Sequence, residues 1–261
     1  MHTKSIFGAS LRQLVLAAAA LSAVLPASMA LASPMDWVAG ERVQGSGNIK
    51  KVSRELGHFT GVGLSLPAMV ELRLGNTESI TIETDDNLLP LIEAVIENGT
   101  LKVRATKNNL NMQTKTMKIV IQAKTIDSIA LGGSGSIDSD ALRAGKLEFV
   151  LGGSGSIAVK GVEAESVRIK VGGSGNFKSA GGAVDTISVS IGGSGDVDVG
   201  RVKARQASVS VAGSGEATLY AYESLNMTVA GSGDVNYYGD PKLSKSVAGS
   251  GSAKRLGAAP R

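Results

Sequence analysis

Seven copies of Gly-Ser-Gly recur down the second half of the chain: Gly133-Ser134-Gly135, Gly153-Ser154-Gly155, Gly173-Ser174-Gly175, Gly193-Ser194-Gly195, Gly213-Ser214-Gly215, Gly231-Ser232-Gly233 and Gly249-Ser250-Gly251. The first five stand 20 residues apart, and the last two steps are 18. A self-similar period in this range marks a solenoid, in which each repeat is one layer that cannot bury its apolar face alone.

The segment from Val167 to Val184 shows how a layer is made. Val167, Ile169 and Val171 alternate with Arg168 and Lys170, the period-2 pattern of a half-buried strand. Gly172-Gly173-Ser174-Gly175 then turns the chain, because glycine reaches positive φ at no steric cost. Phe177 points back inward, and Ala180-Gly181-Gly182-Ala183 turns the chain again.

Aligning the layers produces apolar columns. Leu131, Leu151, Val171, Ile191, Val211, Val229 and Val247 stand just before the turn. Two residues earlier come Ile129, Phe149, Ile169, Val189, Val209 and Met227, and Lys245 breaks the column as terminal repeats do. After the turn come Ile137, Ile157, Phe177, Val197, Ala217, Val235 and Ala253. Stacked parallel strands require such columns, with like side chains about 4.8 Å apart in a narrow core. The expected fold is all-β, a right-handed parallel β-helix or close β-solenoid variant, since parallel crossovers are right-handed. It has about seven regular layers over residues 127–256 and an irregular β-rich cap over 50–126.

The cap lacks the regular step but is rich in strand patterns. They fall at Thr60 to Leu66, Val70 to Leu74, Ser79 to Thr84, Ala94 to Val103 and Met117 to Gln122. Asn98-Gly99 between apolar runs predicts a hairpin. Asp86 to Glu93, containing Pro90, is expected to hold a short helical turn. Gly45-Ser46-Gly47 is open to two readings, a degenerate extra repeat or a chance occurrence in a glycine-rich chain.

The first 32 residues read as an export signal. Lys4 and Arg12 precede an apolar stretch from Leu14 to Leu25 that is too short to span a bilayer. Pro26 breaks it, and Ala30-Leu31-Ala32 fits a signal peptidase, with cleavage after Ala32 and Ala30 as the competing site. An uncleaved anchor is the other reading. Residues 33–49 then form a linker and 257–261 a tail, with no transmembrane segment after cleavage. The expected address is the periplasm, the outer surface or the medium, reached through a Sec-type signal.

Cysteine is absent, which excludes disulfides, a lipid anchor on cysteine and thiol-based metal or redox chemistry. Losing Lys4 and Arg12 with the signal takes the formal charge from +4 to +2. That is too small and too mixed for nucleic-acid binding. The basic residues Lys242, Lys245, Lys254, Arg255 and Arg261 either solvate the end of the chain or meet an anionic surface.

One further pattern runs His58-Phe59-Thr60-Gly61-Val62, Pro67-Ala68-Met69-Val70-Glu71-Leu72 and Ile80-Thr81-Ile82-Glu83-Thr84-Asp85-Asp86-Asn87-Leu88-Leu89. It continues through Asn98-Gly99-Thr100-Leu101-Lys102-Val103 into the Gly-Ser-Gly layers. Over about residues 50 to 256 the chain resembles the putative auto-transporter adhesin, head GIN domain family of exported bacterial proteins. The resemblance implies a β-helical envelope or secreted protein with an adhesive role, and it carries over no catalytic residue. No C-terminal membrane barrel is recognised, so surface delivery is expected by a route other than autotransport.

Candidate sites are few. The serines of the repeat are open to three readings: a hydroxyl ladder, a stripe that ligands touch, or small polar residues filling a tight corner. They are not a G-x-S-x-G nucleophile elbow, because Ser136, Ser156, Asn176, Asp196 and Glu216 stand where the last glycine belongs. Asp196, Glu216 and Asp234 fall in one outward column, where a cation would relieve repulsion between carboxylates. Val197, however, occupies the aspartate position of the calcium-binding nonapeptide. His58 is the sole histidine after cleavage, too little for zinc or a Ser-His-Asp set. Tyr220 and Tyr238 share a column in adjacent layers, and Tyr222 and Tyr237 flank them. The first two are the candidate ligand contacts, able to hold a sugar ring or a partner protein. The alternative is that Tyr222 and Tyr237 pack inward as a cap.

These features predict a non-enzymatic exported protein, an adhesin or envelope scaffold, with no cofactor and no metal. Its partners would be a glycan, an envelope component, another protein or a second copy of the chain. The alternative is a polysaccharide-active lyase or hydrolase. Such an enzyme needs long loops carrying acids and bases, whereas the layers after Gly133 are joined by a few residues.

Overall fold

The computed structural model describes residues 41–260, within one compact unit. The expected signal (1–32) and the start of the linker lie outside the described residues. The head comprises β1 (Glu41–Gln44), β2 (Ile49–Glu55), β3 (Gly61–Leu64), β4 (Met69–Leu74), β5 (Ser79–Asp85), β6 (Ile92–Glu97), β7 (Thr100–Ala105), β8 (Leu110–Gln113) and β9 (Met117–Ala123). A single 3-10 turn, Leu89–Leu91, stands where Pro90 predicts one. The coil continues with β10 (Ser128–Gly133), β11 (Ser136–Ser139), β12 (Leu142–Gly153), β13 (Ser156–Val159), β14 (Val162–Gly173), β15 (Asn176–Ser179) and β16 (Gly182–Gly193). It ends with β17 (Asp196–Gly213), β18 (Glu216–Gly231), β19 (Asp234–Tyr238), β20 (Lys242–Gly249) and β21 (Ser252–Gly257). The fold is a β-solenoid of about six turns.

Every step in the repeat region is parallel, and the glycine corners stay in register throughout. Gly133, Gly153, Gly173, Gly193, Gly213, Gly231 and Gly249 lie one above another. The corner explains the triplet. At Gly193 the backbone has φ +138, and a β-carbon there would sit 2.4 Å from the carbonyl oxygen of Gly173 below. At Gly155 a β-carbon would meet the Gly135 carbonyl at 2.4 Å and the Leu131 side chain at 2.7 Å. Each corner closes on the one beneath by backbone hydrogen bonds. The Ser174 N–H donates to the Gly153 carbonyl at 2.9 Å, and the Ser194 N–H to the Gly173 carbonyl at 2.9 Å. Both glycines are therefore imposed by contact between layers. The serine between them points to solvent.

The three apolar columns lie inside the coil as their spacing requires, with members of the interior layers 3% exposed or less. Within β12, Ala144 and Leu147 face inward while Gly145 and Lys146 face out. Two consecutive outward residues break the period of 2 and bend the strand. The columns also run on into the head. Leu131 continues to Leu64 and Val103, Ile129 to Val62 and Leu101, and Ile137 to Val70 and Ile119. In that layer the glycine corner is replaced by Leu66-Pro67-Ala68, whose carbonyls crowd Gly135. The 18-residue layers omit the Gly200-Arg201-Val202 corner. Val199 pairs with Leu219 and Lys203 with Tyr220, and one residue is regained between Ala204 and Gln206.

The two ends differ. At the head, β5 returns antiparallel on β9, β2 antiparallel on β5, and β6 antiparallel on β7. Asn98 (φ 51) and Gly99 (φ 75) make the tight turn between β6 and β7. Glu41–Gln44, in the stretch expected to be a linker, is a strand paired in parallel with β8. Its partner lies about 70 residues away and is selected only by tertiary structure. At the other end β20 and β21 pair on one side only, with β18 and β19. Lys245 there takes the inward position above the buried Met227. An inward-pointing charge on an exposed edge discourages the addition of another strand.

Two outcomes follow from this packing. Gly193→Ala is expected to destabilise by about 1–3 kcal/mol from backbone strain, with the clash adding to it, whereas Ser194→Ala stays within about 0.5 kcal/mol. Urea titration distinguishes the two, and equal effects would mean that the corner is not set by glycine. Lys245→Val extends the apolar column to the open end and is expected to increase self-association. Light scattering over a concentration series checks it, and unchanged mass at every concentration counts against the edge-blocking role.

Candidate functional site

The repeat serines stand in one exposed column, and the backbone N–H groups of Ser154, Ser174, Ser194, Ser214 and Ser232 carry bonds between layers. The acidic column is also in register, Asp196 beside Glu216 beside Asp234. Each of these carboxylates accepts hydrogen bonds from the following layer. Asp196 Oδ1 takes the Glu216 N–H at 3.2 Å, and Glu216 Oε1 takes the Asn236 side-chain amide at 2.6 Å. Asp234 Oδ1 takes the Ser252 N–H at 2.9 Å and its hydroxyl at 2.7 Å. Among the described residues no group of three or more His, Asp or Glu side chains is placed to hold a metal ion.

The Asp85-Asp86-Asn87 segment grips the loop Gly45-Ser46-Gly47, which is therefore a tied-down strand connection and does not stack as an eighth corner. Asp85 is 3% exposed. Its Oδ1 accepts the Gly47 N–H at 2.6 Å, and its Oδ2 accepts the Thr114 hydroxyl. A β-carbon on Gly45 would stand 2.3 Å from the same carboxylate. Asp86 Oδ1 accepts the Ser46 hydroxyl at 2.6 Å, and Asn87 Oδ1 accepts the Ser46 N–H at 2.9 Å. The Asn87 side-chain amide donates to the Gln44 carbonyl at 2.8 Å. The Thr114 hydroxyl, then the Gly47 N–H, hold the Asp85 carboxyl below its ordinary range. The Ser46 hydroxyl, then Lys50, do the same for Asp86.

His58 Nδ1 lies 2.6 Å from Glu78 Oε1 at the rim, with Lys124 Nζ 3.9 Å from the other oxygen. This bond to His58 is the main cause of a lowered Glu78 pKa.

Tyr220 and Tyr238 are register partners, both half-buried. Tyr222 is 46% exposed with Lys203 Nζ 5.1 Å above its ring, and Tyr237 packs partly buried against the core. Tyr222 therefore does not cap the core. Inside, Phe149 and Phe177 pack with centroids 4.7 Å apart, tilted 51°.

Spacing within one layer does not reveal a trough along the outer face of the sheet β9-β4-β11-β13-β15-β17-β18-β19-β21. One cavity of about 490 Å³ runs from Met69 and Lys118 across Asp138, Ala158 and Lys160 to Lys178 and Ala180. A second, of about 660 Å³, begins at the same Lys178 and Ala180 and passes Gly200, Thr218 and Asn236 to Tyr238, Leu256 and Pro260. Met69 is 64% exposed at its mouth. Outward-facing small residues make the floor. Reading the outward positions of successive layers together (Asp138, Ala158, Lys178, Asp198, Thr218, Asn236) is the signal that could have found it.

Comparison with protein families matches residues 58–241 to the family described as putative auto-transporter adhesin, head GIN domain. No curated protein matches the chain by sequence. Among solved structures, a putative adhesin from Bacteroides fragilis is similar at TM-score 0.76 and 23% identity, over 82% of this chain and 100% of that one. A putative lipid binding protein from Parabacteroides distasonis is similar at TM-score 0.70 and 25% identity, over 83% and 100%. A putative adhesin from Parabacteroides merdae is similar at TM-score 0.66 and 17% identity, over 82% and 99%. Among the described residues no helix is long and apolar enough to cross a membrane.

The aspartate clasp makes the head acid-sensitive. A carboxyl whose folded pKa is depressed adds stability that is complete above the ordinary range near pH 4 and is lost as pH falls through the folded value. Hydrogen exchange corrected for intrinsic rates is expected to show residues 41–55 losing protection progressively as pH falls below about 4 while 167–171 keep theirs. Asp85→Asn is expected to reproduce that loss at neutral pH. Equal protection of the two segments under both conditions rules out the clasp as what holds the head strands.

Proposed function

Since the chain belongs to the putative auto-transporter adhesin, head GIN domain family, we propose that it is an exported, non-enzymatic adhesin that presents one strand face to a macromolecule of its surroundings. The observation that carries the reading is the trough on the outer sheet face, with half-buried Tyr238 in its wall and Met69 exposed at its mouth. Adhesion needs a wide, rigid surface with a few well-seated anchors. A coil whose layers are locked corner to corner provides one. The apolar run from Leu14 to Leu25 ahead of Ala30-Leu31-Ala32 supports export.

The enzymatic alternative has less support. Catalysis on a coil needs clustered acids and bases on loops able to reach around a substrate. Here the corners are glycine turns, and the acidic column spends its oxygens on neighbouring layers. The resemblance to a Parabacteroides distasonis protein described as a putative lipid binding protein makes an amphiphile worth including among the ligands tested.

The test is binding of the chain without its signal to immobilised glycans, matrix proteins and lipid vesicles. Tyr220→Ala/Tyr238→Ala is expected to bind roughly tenfold more weakly, about 1.4 kcal/mol. Undiminished binding removes the tyrosines from the contact, and no binding to any class removes the adhesive reading in favour of a scaffold.

A further inference from the structure

We propose that the trough is a binding site for an extended, uncharged polysaccharide lying along the solenoid axis; the proposal rests on the adhesive reading above and names its ligand. The two cavities share Lys178 and Ala180 in their walls, and their linings together span nine consecutive strands. At about 4.8 Å per strand the trough is about 38 Å long. Its groups repeat once per layer, a rise close to one pyranose residue of an extended chain. A polymer with one sugar per layer meets an equivalent position at each step.

Three features select the occupant. The first is charge. The lysines along the trough stand beside carboxylates of the adjacent layer: Lys118 is 3.9 Å from Glu71, which also accepts from Arg73, Lys160 is 2.8 Å from Asp140 and Lys178 is 3.4 Å from Asp198. A polyanion would have to compete with these carboxylates for the lysines, whereas hydroxyl groups bond to both members of each pair. The second is the backbone. The trough lies on a sheet face, and strands such as β13 are already paired on both sides, with β11 and β15. An extended peptide would therefore find no free N–H or C=O row to join. A sugar needs only the side chains. The third is the floor. Ala158, Ala180 and Gly200 leave a shallow apolar strip, and Tyr238 adds an aromatic wall. Such surfaces suit the C–H faces of pyranose rings.

The probes are neutral oligomers of glucose, mannose, galactose and N-acetylglucosamine, of two to eight rings, titrated calorimetrically against the chain without its signal. Affinity for at least one series is expected to rise with each added ring through the hexamer. Ala158→Arg/Ala180→Arg, which fills the trough at outward positions, is expected to weaken binding at least tenfold. Ser208→Arg, at an exposed position of β17 outside the lining of either cavity, is expected to leave it unchanged, and thermal melting checks that both variants fold. Affinity that does not grow with length, or filling variants that bind like the parent, overturns the proposal. Binding confined to vesicles, proteins or charged glycans also overturns it but leaves the adhesive reading standing. Loss of every ligand class overturns both.

Discussion

At each corner of the coil a glycine carbonyl accepts the backbone N–H of the next corner at about 3 Å, and the remaining gap is too small for a β-carbon. That contact sets the vertical alignment of everything else. With the corners stacked, the residues two, four and six positions before the corner glycine and four after it are forced into the same columns in successive layers. The side chains of those columns then need only be apolar and of moderate size. This is why Phe149, Phe177, Ala207 and Met227 all serve in a core that is otherwise Val, Ile and Leu. It also explains how a layer of 18 residues fits on one of 20. The deletion falls at Gly200-Arg201-Val202, away from the glycine corner, and register is recovered before the next one.

The same rule divides the molecule between an interior that repeats and an exterior that does not. Inward positions answer to the layer above and below, while outward positions answer only to their neighbours on the surface. Ion pairs therefore run between layers, as in Lys160–Asp140 and Lys178–Asp198, and the trough lies where small outward residues happen to succeed one another. A binding surface on such a frame needs no mobile loop, because the spacing of its groups is already that of the strands. The ends need separate solutions. Antiparallel strands and the Asp85–Asn87 clasp close the head, and Lys245 occupies the core position of the last layer.

The coil was legible from the chain because both of its determinants are local. Gly-Ser-Gly at a fixed step announces the corner, and Val-x-Ile-x-Val before it announces the inward face. The Asn98-Gly99 hairpin and the turn at Pro90 were readable for the same reason, since each depends on a few consecutive residues. What was not legible depends on partners far apart in sequence. The strand Glu41–Gln44 has a polar, four-residue sequence and exists by pairing with Leu110–Gln113. Gly45-Ser46-Gly47 imitates the repeat, yet its conformation is set by Asp85, Asp86 and Asn87 about 40 residues on.

The candidate surface shows the same division. Tyr220 and Tyr238 could be placed in one column by counting, but their half-burial could not, because it depends on what covers each ring. Met69, Ala158 and Gly200 form no motif and lie far apart in the chain. The sequence by itself determined the parallel coil, its inward columns and the glycine corners from Gly133 onward, because glycine at positive φ and period-2 alternation are properties of short segments. Only the tertiary structure decided where the outer face is hollow, how the head is locked and which charges cancel, because those follow from side chains that meet only once the layers are stacked.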